Sequence, residues 1–201
     1  MEERVRNKSL TKKEKMKATL ITLIMAATLV SCGGGASKQK ANAKGFGAIE
    51  IILKDKFGND AHYTDLTITY NESIGNIVGV TVTEAPESLK MGQWNLSQDN
   101  WTQTSEITLE VPAGTKAADF MFQLDETINL GKLGGLVEIS KEKLTAKKQI
   151  ENPLLHMAFV KMPKNGERTK TEYVVMLKPP NGGTTFTLNY GLNGELINID
   201  Y

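Results

Sequence analysis

The chain is poor in the residues that carry chemistry. It has one cysteine and two histidines in 201 residues, so a disulfide within the chain is excluded. No G-x-S-x-G elbow is present, and no H-E-x-x-H, P-loop or G-x-G-x-x-G motif, which removes the common signatures of serine hydrolases, zinc proteases and nucleotide binders. No cofactor is implied. No apolar run reaches the roughly 18–20 residues that a helix needs to cross a bilayer. Beyond residue 17 there is also no block of basic residues, so the electrostatic footprint of a nucleic-acid binder is missing.

What is present begins with the N-terminus. "MEERVRNKSLTKKEKMK" carries seven Lys/Arg and three acids, and Ala18 to Val30 is then uncharged and rich in Leu, Ile, Ala and Met. A basic block, an apolar run of about 13 residues and small residues make a secretion signal, where a buried core helix is the plainer alternative. A chain starting at Met16 would carry the more ordinary signal peptide. Without the seven bases and three acids of residues 1–31, the 24 bases and 23 acids of the full chain fall to 17 and 20. The remaining 170 residues are therefore mildly acidic and suit one domain of ordinary size or two small ones.

"LVSC" at Leu29 to Cys32 resembles the lipobox of bacterial lipoproteins: Leu, a small or β-branched residue, a small residue, then the obligatory Cys. The resemblance implies that residues 1–31 are removed and that Cys32 carries diacylglycerol as the new N-terminus. Several acyl chains, at roughly 0.8 kcal/mol per buried methylene, anchor a protein stably where one does not. A free buried thiol is the competing account of Cys32. Residues 32–47 then read as the lipidated cysteine and a flexible Gly/Ala/Lys-rich tether. No acidic stretch follows Cys32. In lipoproteins resembling those of the Bacteroidota such a stretch favours surface export, so its absence points to an anchor facing the periplasm.

Beyond Gly47 the expected fold class is α+β, an antiparallel sheet or sheets with one or two covering helices. Period-two alternation in "LTITY", "IVGVTV", "EITLEV", "TFTLNY" and "ELINIDY" marks strands with one covered face. Asn165-Gly166, Asn181-Gly182-Gly183 and Asn193-Gly194 supply turns that tolerate positive φ. "AIEIILKDKF" at 48–57 places Ile49, Ile52, Leu53 and Phe57 at helical spacing with Gly58 behind, although Ile49, Ile51 and Leu53 also fit a strand. Ile128 to Lys148 forms a second helix that Gly131, Gly134 and Gly135 should make start late.

This suggests an internal duplication, residues 48–125 and 126–201, each a helix followed by four strands. The strands are expected near 63–70, 76–84, 90–96 and 105–111, and near 154–162, 171–178, 184–190 and 194–201. "AIEIILKDKFGN" and "LNGELINIDY" resemble the opening and closing elements of PepSY-type domains and of the tandem modules of β-lactamase-inhibitor-like proteins. The chain from Cys32 onward also resembles a lipoprotein group of the Bacteroidota, which implies no particular activity.

Candidate sites are few. "QWNLSQDNW" holds both tryptophans, and Gln93, Trp94, Asn95 and Trp101 are the candidate partner- or ligand-binding residues. Indole with amide neighbours is the composition of interfaces and carbohydrate platforms, where a core Trp and a hairpin-edge Trp is the plainer reading. Met157, Met162 and Met176 offer an adaptable apolar surface, or simply core. His62 reads as solvated and His156 as a partly buried structural side chain. With the thiol committed to lipid, no zinc set is expected. "DKFGND" lacks the ligand spacing of a calcium loop and reads as a turn. The expected function is a lipid-anchored, non-catalytic envelope protein that binds another protein, with an inhibitor-like role implied by the resemblance. The alternative is a small hydrophobic-ligand or glycan binder, with the Trp pair lining a concave sheet face. A hydrolase would require clustered carboxylates, which sequence spacing does not locate.

Overall fold

The computed structural model describes residues 35–201; Cys32 and the expected signal peptide lie outside the described residues. The order is α1 (Ala43–Phe57), β1 (His62–Asn71), β2 (Gly75–Thr83), β3 (Lys90–Ser97), β4 (Asn100–Thr108), α2 (Leu130–Lys148), β5 (Leu154–Lys161), β6 (Glu172–Lys178), β7 (Phe186–Gly191) and β8 (Leu196–Asp200). All eight strands form one antiparallel sheet, ordered β4-β3-β2-β1-β5-β6-β7-β8. The α+β expectation therefore holds, with two helices on one eight-stranded sheet. The two meanders do not fold as separate units. Their first strands pair at the centre, Thr67 with Phe159 and Ile68 with Ala158, and one hydrophobic core runs beneath both.

α1 forms because Phe46, Ile49, Leu53 and Phe57 repeat at helical spacing and bury one stripe, whereas Ile51, which a strand would have paired with Ile49, is 62% exposed. Its cap is Asn42, whose side chain accepts from the Gly45 amide at 2.8 Å. Gly58 ends it at φ 88°, a conformation that costs a side chain dearly. The helix starts five residues before the expected boundary, and Ala36 and Phe46 are buried in the core. The expected tether over 32–47 is thus folded from Ala36 onward, because Phe46 and the Asn42 cap supply a helix start that small-residue composition disguises.

α2 does not start late. Asn129 caps it by accepting from the Lys132 amide at 2.8 Å, and its glycines are tolerated because one is a packing device. A Cβ on Gly134 would stand 2.2 Å from the Asn42 carbonyl oxygen, so its absence lets the start of α1 lie against α2. The two helices run antiparallel and cap each other: Glu138 accepts from the Ala43 amide at 3.1 Å, and Glu50 from the Leu130 amide at 2.7 Å. Each carboxylate sits where a helix N-terminus favours negative charge. The helix ends at Gln149 in the left-handed region, four residues before Pro153.

The halves also share irregularities. An extra residue interrupts the register of the first strand in each, Thr64 in β1 and His156 in β5. Another interrupts the fourth, Thr104 in β4 and Ile197 in β8. Bulges increase local twist, so both meanders curl at matching places. The β4 expectation of 105–111 is shifted, since the strand is Asn100–Thr108. Leu109 and Val111 instead join Ile107 around a small second cluster of Met91, Ala117 and Met121.

Candidate functional site

Both helices lie on one face of the sheet, where Leu66, Ile68, Val80, Ala158, Val175 and Leu188 share their core. Period-two alternation then sends the intervening residues to the other face, which among the described residues carries no α-helix, only the single 3-10 turn Ala117–Phe120 at one corner. The strand pairings align its side chains in rows across the sheet. In the first half one row runs Thr102, Asn95, Gly79, Thr67. It continues through Phe159, Val174, Asn189 and Asn198 in the second half. The next row runs Ile77, Thr69, Met157, Met176, Thr187 and Asp200.

The chemistry of this face is zoned. Met157 and Met176 are cross-strand neighbours, and Phe159 pairs with Val174 beside them. Val174 is buried, while Ile77, Met157, Phe159 and Met176 are half-buried. Around this apolar centre stand threonine, asparagine and glutamine side chains, with Lys161 and Glu172 paired at 3.1 Å to one side. An apolar centre within a polar border is the anatomy of a protein-binding patch. Segment 109–121 closes one corner, over Met91. Asp65 also lies on this face. Partial burial pushes its carboxyl above the ordinary range against the opposing Thr67 hydroxyl, but the residue is exposed and water screens most of that effect.

The sequence-predicted residues are split by the pleat. Trp94 and Trp101 lie on the helix side, where both rings meet Phe57 edge-on at 5.7 and 5.0 Å. Lys56 stands 4.8 Å over the Trp94 ring. The pair closes the core at the end of α1 and does not line the helix-free face. Gln93 and Asn95 do lie on that face, with the Gln93 side chain bonded to the Ser105 hydroxyl. Met157 and Met176 come together there, while Met162 packs against the core. His62 is half-buried, not solvated, and its Nδ1 has no hydrogen-bond partner among the described residues. His156 is half-buried at the β5 bulge. Phe159 and Val174 were missed, although alternation from Met157 and Met176 places them on the same face.

Other polar groups hold the helices in place. The Tyr173 hydroxyl accepts from the Asn129 amide at 2.9 Å, and burial pushes its phenol up to about 12. The Tyr190 and Ser140 hydroxyls share a buried bond of 2.7 Å, and burial raises Tyr190 too. Tyr63 is raised by burial and by the nearby Glu50 carboxylate, and its hydroxyl has no hydrogen-bond partner among the described residues. These phenols stay protonated at neutral pH and act as anchors. Among the described residues no three His, Cys, Asp or Glu side chains converge as a metal set.

Two open troughs lie along the second half of α2, one of about 740 Å³ against residues 151–154 and one of about 830 Å³ between the helix, residues 37–42 and the sheet residues Tyr70 and Leu155. No helix among the described residues is long and apolar enough to cross a membrane. No protein-family model matches the chain, and no curated protein or solved structure shows significant similarity to it.

Proposed function

We propose that the protein is a lipid-anchored envelope protein, held through Cys32 and facing the periplasm, whose helix-free sheet face binds another protein without catalysis. The observation that carries this reading is the zoned face, with Met157, Met176, Phe159 and Val174 central and Thr, Asn and Gln around them. Methionine side chains adapt to a partner's shape, and an apolar centre excluded from water supplies most of the affinity of an interface. The resemblance to inhibitor-like modules makes an envelope enzyme the target class.

The test places a photocrosslinking residue at Phe159 and, as a control, at Ile51 on the outer side of α1. Covalent capture of a discrete envelope protein from Phe159 but not from Ile51 supports the reading. Equal or absent capture from both sinks it. A palmitate analogue that fails to label Cys32 removes the anchor.

The alternative, binding of a small hydrophobic ligand or glycan, is favoured by the two troughs. Their volumes fall in the range of ligand sites, but they open broadly to solvent and lie away from the Trp pair. Saturable heat release with a hydrophobic ligand or an oligosaccharide, abolished by filling the larger trough at Ala41→Trp, would favour it.

A further inference from the structure

The segment that enters the fold is strapped down. Ala36 is 1% exposed and sits in the main core. The Asn76 side-chain amide, itself buried, donates to the carbonyls of Ala36 at 3.0 Å and Gln39 at 2.7 Å. The Ser37 amide and hydroxyl each donate to Asp99 Oδ1 at 3.1 Å. Gly75 permits the crossing, since a Cβ there would stand 2.0 Å from the Ser37 carbonyl oxygen. The strap thus joins β2 to the β3–β4 turn and fixes the chain from Gly35 onward.

We infer that this strap orients the body on the bilayer, with the sheet end that carries the β1–β2 and β3–β4 turns facing the lipid. The inference rests on the lipid-anchor reading of Cys32. Only three residue steps separate Cys32 from Gly35, a reach of at most about 11 Å at 3.6 Å per residue. A tether of sixteen residues would leave the body free to tumble, and one this short does not. Antiparallel pairing brings the start of β5, the end of β6 and the C-terminus to the same end. Tyr201, 75% exposed, projects there with the Lys148 ammonium 4.1 Å over its ring. An exposed tyrosine with a lysine beside it suits the headgroup layer, which accepts an apolar ring with a polar tip. The β2–β3 turn and the 162–171 loop then point away from the bilayer, and the zoned face is open to a partner from the side.

The lipidated full chain is reconstituted in phosphatidylcholine vesicles containing headgroup-quencher lipid. Cys32 is the only cysteine, so an introduced one is the sole free thiol once Cys32 is acylated. Single fluorophores are placed at Ser73→Cys and Asn181→Cys on the strap end, and at Glu87→Cys and Lys164→Cys on the far end. The nine residues of β2 separate these ends by about 30 Å at roughly 3.3 Å per residue. Expected is quenching several-fold stronger at Ser73 and Asn181 than at Glu87 and Lys164. Inserting a twenty-residue Gly/Ser linker before Gly35 should abolish the difference, and Asp99→Ala should reduce it. Equal quenching at both ends, or stronger quenching at the far end, in protein that floats with the vesicles overturns the orientation while leaving the anchor standing. Protein that does not float with the vesicles overturns the anchor, and the orientation falls with it.

Discussion

The two halves of the molecule have the same skeleton and different faces. Each is an Asn-capped helix followed by a four-strand meander, each carries a bulge in its first and fourth strands, and each lends a glutamate to cap the other's helix. On the helix-free side the first half shows Thr67, Thr102, Gln93 and Asn95, and the second shows Met157, Phe159, Val174 and Met176. Features that set backbone geometry coincide, and those that set surface chemistry do not. The open apolar centre lies largely in the second half, just across the β1–β5 seam, where the first half supplies its polar border and Ile77 and keeps its own apolar corner, Met91 and Ile107, covered by segment 109–121.

The largest expected effect asks whether the halves are one cooperative unit. Tyr63 in the first half and Tyr173 and Tyr190 in the second all have phenols held above their ordinary value of 10.0 by burial. The folded state therefore keeps protons that the unfolded state releases, so the part of the stability that depends on these phenols is fully present below about pH 10 and is lost as pH climbs toward about 12. Absorbance titration should show these phenols ionising together with a single loss of circular dichroism. Ionisation of Tyr63 in a separate, earlier step would break the single-core account.

Helix glycines come next, and each helix has one that packing requires and at least one that it does not. A Cβ on Gly45 or Gly134 would stand 2.0 Å or 2.2 Å from a backbone oxygen, whereas Gly47 has open space and Gly135 only an ordinary 3.8 Å contact. Gly45→Ala and Gly134→Ala should each cost about 2–3 kcal/mol, while Gly47→Ala and Gly135→Ala should gain up to about 1 kcal/mol. Urea denaturation measures all four. Loss of stability in Gly135→Ala equal to that in Gly134→Ala would refute the close helix approach.

The tyrosine hydroxyls give a smaller contrast of opposite sign. Tyr190→Phe leaves the buried Ser140 hydroxyl without its partner and should cost about 1–2 kcal/mol, whereas Tyr63→Phe removes an unpaired buried hydroxyl and should be neutral or stabilising by about 1 kcal/mol. The reciprocal caps are smallest. Glu50 is half-buried and also pairs with Lys54 at 2.7 Å, while Glu138 is exposed. Glu50→Gln should therefore cost about 1 kcal/mol and Glu138→Gln about half as much.

Most of the skeleton was legible in the residues. Leu66 with Ile68, and Leu188 with Tyr190, announce strands by alternation, and Gly58 announces the end of α1. The duplicated order of a helix and four strands followed from these local signals. The joining of the halves did not, because a pairing such as Thr67 with Phe159 depends on contacts 92 positions apart that no local pattern encodes. Asn42 three residues before Gly45 was a readable cap, obscured by the small residues around it. The candidate site was half legible. Trp94 draws the eye, yet its neighbours Gln93 and Asn95 must point the opposite way in any strand, so the three could not form one surface. Met157 and Met176 share a face only because β5 and β6 pair in that register.

The proposed docking face and the Trp pair lie on opposite sides of the sheet, so mutation can separate them. The direct measurement is crosslinked recovery of partners from membranes with three forms of the full chain: wild type, Met157→Lys/Met176→Lys, and Trp94→Ala/Trp101→Ala, each first checked for a folded circular-dichroism spectrum. The methionine variant is expected to lose the proteins recovered by wild type, and the tryptophan variant, though less stable, to retain them while folded. Retention by a folded methionine variant, with loss in a folded tryptophan variant, would rule out the helix-free face as the docking surface.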